Sequence, residues 1–444
     1  MGRSSGVGTL AGAGTALYDQ PSAHPAAADL SRRLGVWRQV RVEEEFPRSF
    51  PGVSMNPGLN KDQQELVDTA ERIAHECLGP RAAEVDASGT NPKESWHDVW
   101  QNGLLTIGIP KKYGGHELDM LTYVMVIEKL AGGCTNTGMT VHMHSTVMRF
   151  IDALGTDKQR AMYYPEIVDD GKLFGSWGSE PQTRGGSAFR HTTITPDGDG
   201  YVLNGEKNFC TMSGGAHRYM IHCNAQNTPD PIGSQVLALI PNDVAGLSQM
   251  DEWNTLGMRG TVSPSMKLDN CVVTKDGVLG KPGDGYHTGI TQGFSLGFAA
   301  AYVGAAQTAL DFTKDFCIKQ TFSGASGRVA DELLVQRTIA EMTMTLSSAR
   351  MALYDAASQW EGKTANQRAV IAARPKYLAT LASQDVSTKA IQISGGRSVH
   401  KRWPLERIYR DIRTSTLMPP TLDRCLELIG RDEFNLDTAL NRDA

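Results

Sequence analysis

The feature that most constrains the fold is a hydrophobic period that changes twice along the chain. Between about 60 and 175 the period is helical: in LVDTAERIAHECLGPRAAEV, Leu66, Ala70, Ile73, Ala74 and Cys77 recur at helical spacing. Between about 176 and 275 it becomes that of strands. HTTITPDGDGYVLNGEKNFCT holds two β-rich runs joined by Asp197-Gly198-Asp199-Gly200, a hairpin signature, and YMIHCNA, QVLALIP and MKLDNCVV continue the pattern. From about 285 onward long amphipathic segments return: GFAAAYVGAAQTALDFTKDF, LVQRTIAEMTMTLSSARMALYDAASQW and the run from Asn366 to Ile393. They predict an antiparallel bundle, with a kink at Pro375 and a stop at Gly395-Gly396. The order is helical domain, small antiparallel β domain, helical bundle, with no internal repeat.

Residues 1–54 are unlike the rest. They are rich in Gly, Ala and Ser, and Glu43-Glu44-Glu45 argues against a transit peptide despite Arg3, Arg32, Arg33 and Arg38. A disordered leader is expected there, with a helical domain over 55–175, a β domain over 176–280 and a helical bundle over 281–444. A chain of 444 residues exceeds what one core usually serves, which agrees with this division. Net charge is −5 with no long basic run, so nucleic acid is not an expected partner. No apolar run is long enough to span a membrane.

The seven cysteines, Cys77, Cys134, Cys210, Cys223, Cys271, Cys317 and Cys425, are scattered and form no CxxC pair. That usage points to buried thiols in a reducing, cytoplasmic setting. His142 and His144 stand two apart, a spacing that suits a metal only on a strand, and their surroundings read as helix. No metal site is expected.

Four stretches, in this order, resemble the acyl-CoA dehydrogenase superfamily over roughly residues 56–430. They are GLLTIGIPKKYGGHELDMLTYVMVIEKLAGGC; GSWGSEPQTRGGSAF with YVLNGEKNFCTMSGGA; NTLGMRGTVSPSMKLDNCVV; and IQISGGRSVHKRWPLERIYRDIR. The resemblance implies that family's fold: an N-terminal α-helical domain, a middle antiparallel β domain and a C-terminal four-helix bundle. It also implies FAD. Trp177, Gly178 and Ser179 would then face the isoalloxazine ring, Phe209 would stack near it where Trp is usual, and Thr211 would hydrogen-bond near N5. Ser187 matches a pyrophosphate contact, although TRGG lengthens that loop. Further contacts come, in this family, from a neighbouring subunit. Lys319 and Phe322 fall where the family has Arg and Phe, and Gln392, Gly395 and Gly396 match the adenosine side. A homotetramer or homodimer is implied.

The resemblance breaks at the catalytic carboxylate. Removing an α-proton requires a base on the face opposite the flavin. The family takes it from a Glu-Gly-Thr after the RYRD-like segment, where this chain has Pro419-Pro420-Thr421. Pro419 lacks both a carboxylate and a backbone N–H. The family's other location for the base falls on Phe294, and Ser295 stands where an Arg usually helps to hold CoA. Asp423 and Glu427 are the next acids along the chain.

The segment RDIRTSTLMPPT is similar to a branch of the superfamily that uses reduced flavin and oxygen to oxygenate its substrate, with Met418 in place of that branch's His. His400, His142 and His144 are candidate polar groups for such a site. Three readings stay open: a flavin-dependent monooxygenase of a small or carrier-bound substrate; an acyl-CoA or acyl-carrier desaturase with an unconventional base; and a non-catalytic flavin-binding partner protein. The first two bring a small-molecule or thioester-bound substrate, and with it a flavin reductase or electron-transfer partner.

Overall fold

A computed structural model describes residues 58–183, 189–226, 230, 232–324 and 326–438. The 1–54 leader and Ser187 lie outside the described residues. Helix α1 (Lys61–Ile73) starts where Asn60 and Gln63 cap each other's backbone N–H reciprocally. It runs through a π-turn at Ala74–Leu78 into α2 (Gly79–Ser88), which stops at Gly89 with φ 60°. Then come α3 (Lys93–Gln101), α4 (Met120–Gly133), α5 (Thr135–Leu154) and α6 (Asp157–Val168).

The sheet follows: β1 (Phe174–Trp177), β2 (Thr193–Asp197), β3 (Gly200–Lys207), β4 (Arg218–Ala225), β5 (Gln235–Pro241), β6 (Leu247–Gln249), β7 (Met266–Val273) and β8 (Val278–Leu279). Among the described residues its order is β6-β7-β3-β2-β4-β5-β8, with β1 on β4. The Asp197–Gly200 turn joins β2 to β3 as an antiparallel pair. Strand β4 is shared along one edge. Its first half pairs parallel with β1, from Phe174 opposite Arg218 to Trp177 opposite Ile221, and its end pairs parallel with β2 at Asn224 and Ala225. β1 and β2 thus lie end to end against β4, and the loop between them leaves the sheet at His222 and Cys223. β1 opens at Phe174, just inside the stretch assigned to helices, because GKLF carries no strand alternation of its own.

A one-turn helix α7 (Asp284–His287) leads to α8 (Phe294–Lys319), α9 (Leu333–Ser358), α10 (Ala365–Ser394), α11 (Pro404–Arg413) and α12 (Leu422–Glu433). α10 continues through Pro375 and stops at Gly395, φ 67°. α8 is the centre of the bundle, and α4 packs on it from the N-terminal side. Gly304 permits that approach, since a Cβ there would lie 2.0 Å from the Glu128 carbonyl oxygen. A buried network ties α9 to both helices. Arg350 donates to Glu128 Oε1 at 2.8 Å and to Gln307 Oε1 at 2.7 Å, and Tyr354 donates to Glu128 Oε2 at 2.9 Å. Residues of all three regions, including Val126, Ile221 and Val303, belong to one continuous hydrophobic core.

Candidate flavin and substrate site

The loop that leaves the sheet between β1 and β2 carries GSE, and the end of β3 carries KNFCT. The structure fastens them together. Trp177 is fully buried, stacks on Tyr219 at 3.8 Å, and donates its indole N–H to the Thr211 carbonyl at 3.0 Å. Asn208 N–H donates to the Ser179 carbonyl at 2.9 Å. Beneath this junction lies a fully buried ion pair, Lys207 Nζ to Glu180 Oε1 at 2.6 Å. Glu180 also accepts the backbone N–H groups of His191 and Thr192, which closes the far side of the loop. Lys207 donates in addition to the His222 carbonyl, at the place where β4 lies between its two edge partners. Burial alone would raise the Glu180 carboxyl, but Lys207 and the N–H donors outweigh it and hold the group below its ordinary value. Burial pushes Lys207 down to about 8 against the opposing pull of Glu180.

Sequence reasoning passed over this pair, although both residues sit inside the motifs it quoted. It also passed over His222. That ring lies 3.3 Å from Ser176 Oγ, and its pKa is pushed down to about 3 by burial and then by the charges of Arg190 and Lys207.

Backbone strain concentrates here. Of the seven described non-glycine residues with positive φ, four line the junction: Phe209 at 53°, Met212 at 66°, Met258 at 56° and Val262 at 41°. Each such position costs on the order of 1–3 kcal/mol and survives only where its surroundings over-determine it. Here Cys210 N–H is bound by Pro264, Met212 N–H by Thr261 and Ser213 N–H by Val262. The strained turn leaves the Phe209 ring 64% exposed, with Trp253 edge-on at 6.4 Å. Thr211 Oγ accepts from Ser263 Oγ at 3.1 Å, and Ser179 is exposed. An open aromatic face beside exposed Ser179 and half-buried Gly178 and Thr211 fits a planar, polar-edged ring such as a flavin.

The third and fourth motifs meet at Asp411, which is 2% exposed. Its carboxylate accepts Met258 N–H at 2.6 Å and Asn136 Nδ2 at 3.1 Å. Burial raises its pKa to about 6. Its neighbour Arg410 pairs with Asp86 and Glu406. Asp411 is therefore committed to holding three segments together. Downstream, Pro419 is exposed and Met418 packs against the core. Thr421, a cofactor contact by the resemblance, is exposed and is the N-cap of α12, its hydroxyl accepting Arg424 N–H at 3.4 Å. Asp423 and Glu427 are exposed on α12, and Glu427 is bound to Arg424.

The three candidate histidines are not brought together. His144 is spent on structure: Phe174 N–H donates to its Nδ1 at 3.0 Å, and its Nε2–H donates to the Leu105 carbonyl at 3.2 Å. Both nitrogens join α5 to β1 and the loop before α4, which leaves neither for chemistry. His400 is exposed in the turn between α10 and α11. His142 is fully buried, its Nδ1 2.6 Å from Tyr123 Oη, with the Phe294 and Phe298 rings edge-on at 5.6 and 5.1 Å. Its Nε2 has no hydrogen-bond partner among the described residues. Burial, and then the charge of Arg149, push it down to about 3, so it is neutral. Arg149 lies 4.2 Å over the Tyr123 ring. The one candidate histidine beside Phe294 is thus an uncharged one, held by the Tyr123 hydroxyl.

The residues expected to serve a neighbouring subunit's cofactor share one exposed face. Arg397 donates to Gln320 Oε1 at 3.0 Å and sits 5.3 Å over the Phe322 ring, which joins KQTF to GGR. A Cβ on Gly395 or Gly396 would meet nothing within 4 Å, so a ligand can approach that backbone closely. Gln392 is exposed beside them, whereas Lys319 is paired with Asp315 at 3.0 Å.

Comparison with known proteins agrees with this layout. Sequence profiles of the acyl-CoA dehydrogenase N-terminal, middle and C-terminal domains match residues 60–170, 175–271 and 294–432. The chain is 28% identical to human mitochondrial short-chain specific acyl-CoA dehydrogenase over 400 residues, 89% of this chain and 95% of that one. It is 29% identical to dibenzothiophene monooxygenase of Rhodococcus erythropolis over 377 residues, 80% of this chain and 89% of that one. A solved TdsC from Paenibacillus sp. A11-2, in complex with FMN and indole, superposes with a TM-score of 0.76 at 26% identity, covering 84% of this chain and 97% of that one. Three family domains in their proper order, on the matching helical, sheet and helical layers, mean that the chain belongs to the acyl-CoA dehydrogenase family.

Proposed function

We propose that the protein is an FAD-dependent monooxygenase of a small or carrier-bound substrate, acting as a homo-oligomer that receives electrons from a reductase or another electron-transfer partner. One observation carries the reading. Both positions from which the resemblance would draw a proton-abstracting carboxylate hold groups that cannot abstract, Pro419 and Phe294. The nearest buried acid in the same segment, Asp411, is committed to Met258 and Asn136. Bound flavin supplies the redox chemistry; in monooxygenation one oxygen atom of O2 enters the substrate and the other leaves as water. The chain's part is to hold the ring at Phe209, Ser179 and Thr211 and to keep the adjoining wall dry. The Phe294 and Phe298 rings edge-on to neutral His142 suit that wall, since apolar rings exclude water. The outward faces of α9 and α10 favour self-association, with Leu334 75%, Met344 67% and Leu381 43% exposed.

The 28% identity with a short-chain acyl-CoA dehydrogenase supports a second reading, desaturation with an unconventional base. Anaerobic addition of an acyl-CoA series separates the two. A monooxygenase leaves the oxidised flavin unbleached, and consumes oxygen when its flavin is supplied reduced with the right substrate. Rapid anaerobic bleaching by an ordinary acyl-CoA overturns the monooxygenase reading.

A further inference from the structure

We infer that Arg397, not Lys319, is the cation that holds the diphosphate of a flavin dinucleotide bound across a subunit boundary. The inference rests on the FAD reading above. Lys319 occupies the expected place for that charge, one turn beyond Asp315 on α8, and its ammonium is 3.0 Å from the Asp315 carboxylate. A phosphate there would have to compete with a resident anion on the same helix. Among the described residues Arg397 has no such anionic partner. Its guanidinium lies over the Phe322 ring at 5.3 Å and gives Nη1 to the Gln320 side-chain oxygen at 3.0 Å, which fixes its plane while leaving the other N–H groups for a ligand.

The setting is built for an anion with an extended body. Gly395 and Gly396 open the backbone immediately before Arg397, with no atom within 4 Å of a notional Cβ on either. The six residues from Arg397 to Arg402 carry Arg397, His400, Lys401 and Arg402, all exposed, and no acid. His400 therefore belongs to this cationic face by position. A stacked, forked cation beside two open glycines matches a diphosphate joined to a flat base, whereas a mononucleotide such as FMN lacks the distal phosphate and that base.

The test is cofactor affinity of the full-length chain, not turnover. Dissociation constants for FAD and FMN are measured by flavin fluorescence on flavin-stripped wild type, R397Q, R397K and K319Q, with assembly followed by light scattering. R397Q is expected to weaken FAD roughly 10- to 100-fold, as for loss of a charge-assisted hydrogen bond, and to leave FMN nearly unchanged. K319Q should alter either by less than about 3-fold, as for an exposed, already paired charge. R397K should be intermediate, since a point charge cannot form the fork. A larger FAD loss in K319Q than in R397Q overturns the assignment, as does equal weakening of FAD and FMN by R397Q. Wild type that binds FAD no tighter than FMN removes instead the reading on which the assignment rests. Should R397Q fail to assemble, R397K against K319Q makes the same comparison.

Discussion

Acidification from pH 7 to pH 5 should destabilise this protein through two neutral histidines in its core. His142 and His144 are both fully buried, and burial holds their pKa values at about 3 and about 4, against 6.5 ordinarily. A depressed folded pKa gives stability that is complete above the unfolded value and is lost as pH falls toward the folded one. At pH 5 each unfolded imidazole has gained about 1.5 pKa units of protonation free energy that the native state cannot match, about 2 kcal/mol apiece or roughly 4 kcal/mol together. Asp411 opposes this. Its pKa is raised to about 6, so its contribution is present at low pH and lost as pH rises through 6. Acidification to pH 5 therefore returns about 1 kcal/mol. The balance is a loss of about 3 kcal/mol, and His116, His217 and His222, lowered in the same direction, add to it. Urea unfolding midpoints at the two pH values measure the loss. The variant H144Q isolates one proton. It should be less stable at pH 7 by about 1–3 kcal/mol, because glutamine carries its acceptor and donor at the end of a longer, flexible chain than the ring that now bonds Phe174 N–H and the Leu105 carbonyl, and its stability should fall less steeply with pH. Equal wild-type stability at pH 7 and pH 5, or an unchanged pH dependence in H144Q, would refute the reasoning.

Glu180→Gln strands a buried ammonium and should cost about 3–5 kcal/mol, read as a lowered urea midpoint with loss of flavin retention; E180L with K207M should recover much of the stability. Asp411→Ala orphans Met258 N–H and should cost about 1–3 kcal/mol, whereas Asp411→Asn should be milder, because the unpartnered Asn136 Oδ1 can turn to accept the new amide; equal thermal shifts for the two would contradict this. Gly297→Ala places a Cβ 2.1 Å from the His142 ring and should lower the melting temperature by an amount equivalent to about 1–3 kcal/mol. Pro419→Glu with Pro420→Gly should raise anaerobic flavin reduction by acyl-CoA above wild type, modestly because Ser295 remains; no gain at all would argue that position 419 does not face the substrate.

The layer order was legible because period is a local property. The 3.6-residue spacing of Leu66, Ala70 and Ile73 and the alternation in MKLDNCVV each follow from a single element facing one core. The ends of β1 and β3 were legible as motifs. Their fastening was not, since Glu180 and Lys207 are 27 positions apart and only the sheet brings them to 2.6 Å. The histidines show the same limit. His144 and His142 differ by two positions, yet their positions on α5 send one to β1 and the other to α8, and nothing in the residue type separates a structural ring from a site wall. Pro419 and Phe294 stood out in the sequence because residue type alone shows that neither carries a carboxylate.

The end-to-end seating of β1 and β2 on β4 has a consequence for how this family can diversify. The loop between them can gain or lose residues without a frameshift in the ladder. Trp177 is pinned opposite Ile221 on one side of the opening and Thr193 opposite Asn224 on the other, so a change in loop length leaves both registers in place. The sheet acts as a socket with a fixed mouth, and the loop as an exchangeable fitting. Loop length can then change while the Glu180–Lys207 bolt and the core behind it stay as they are.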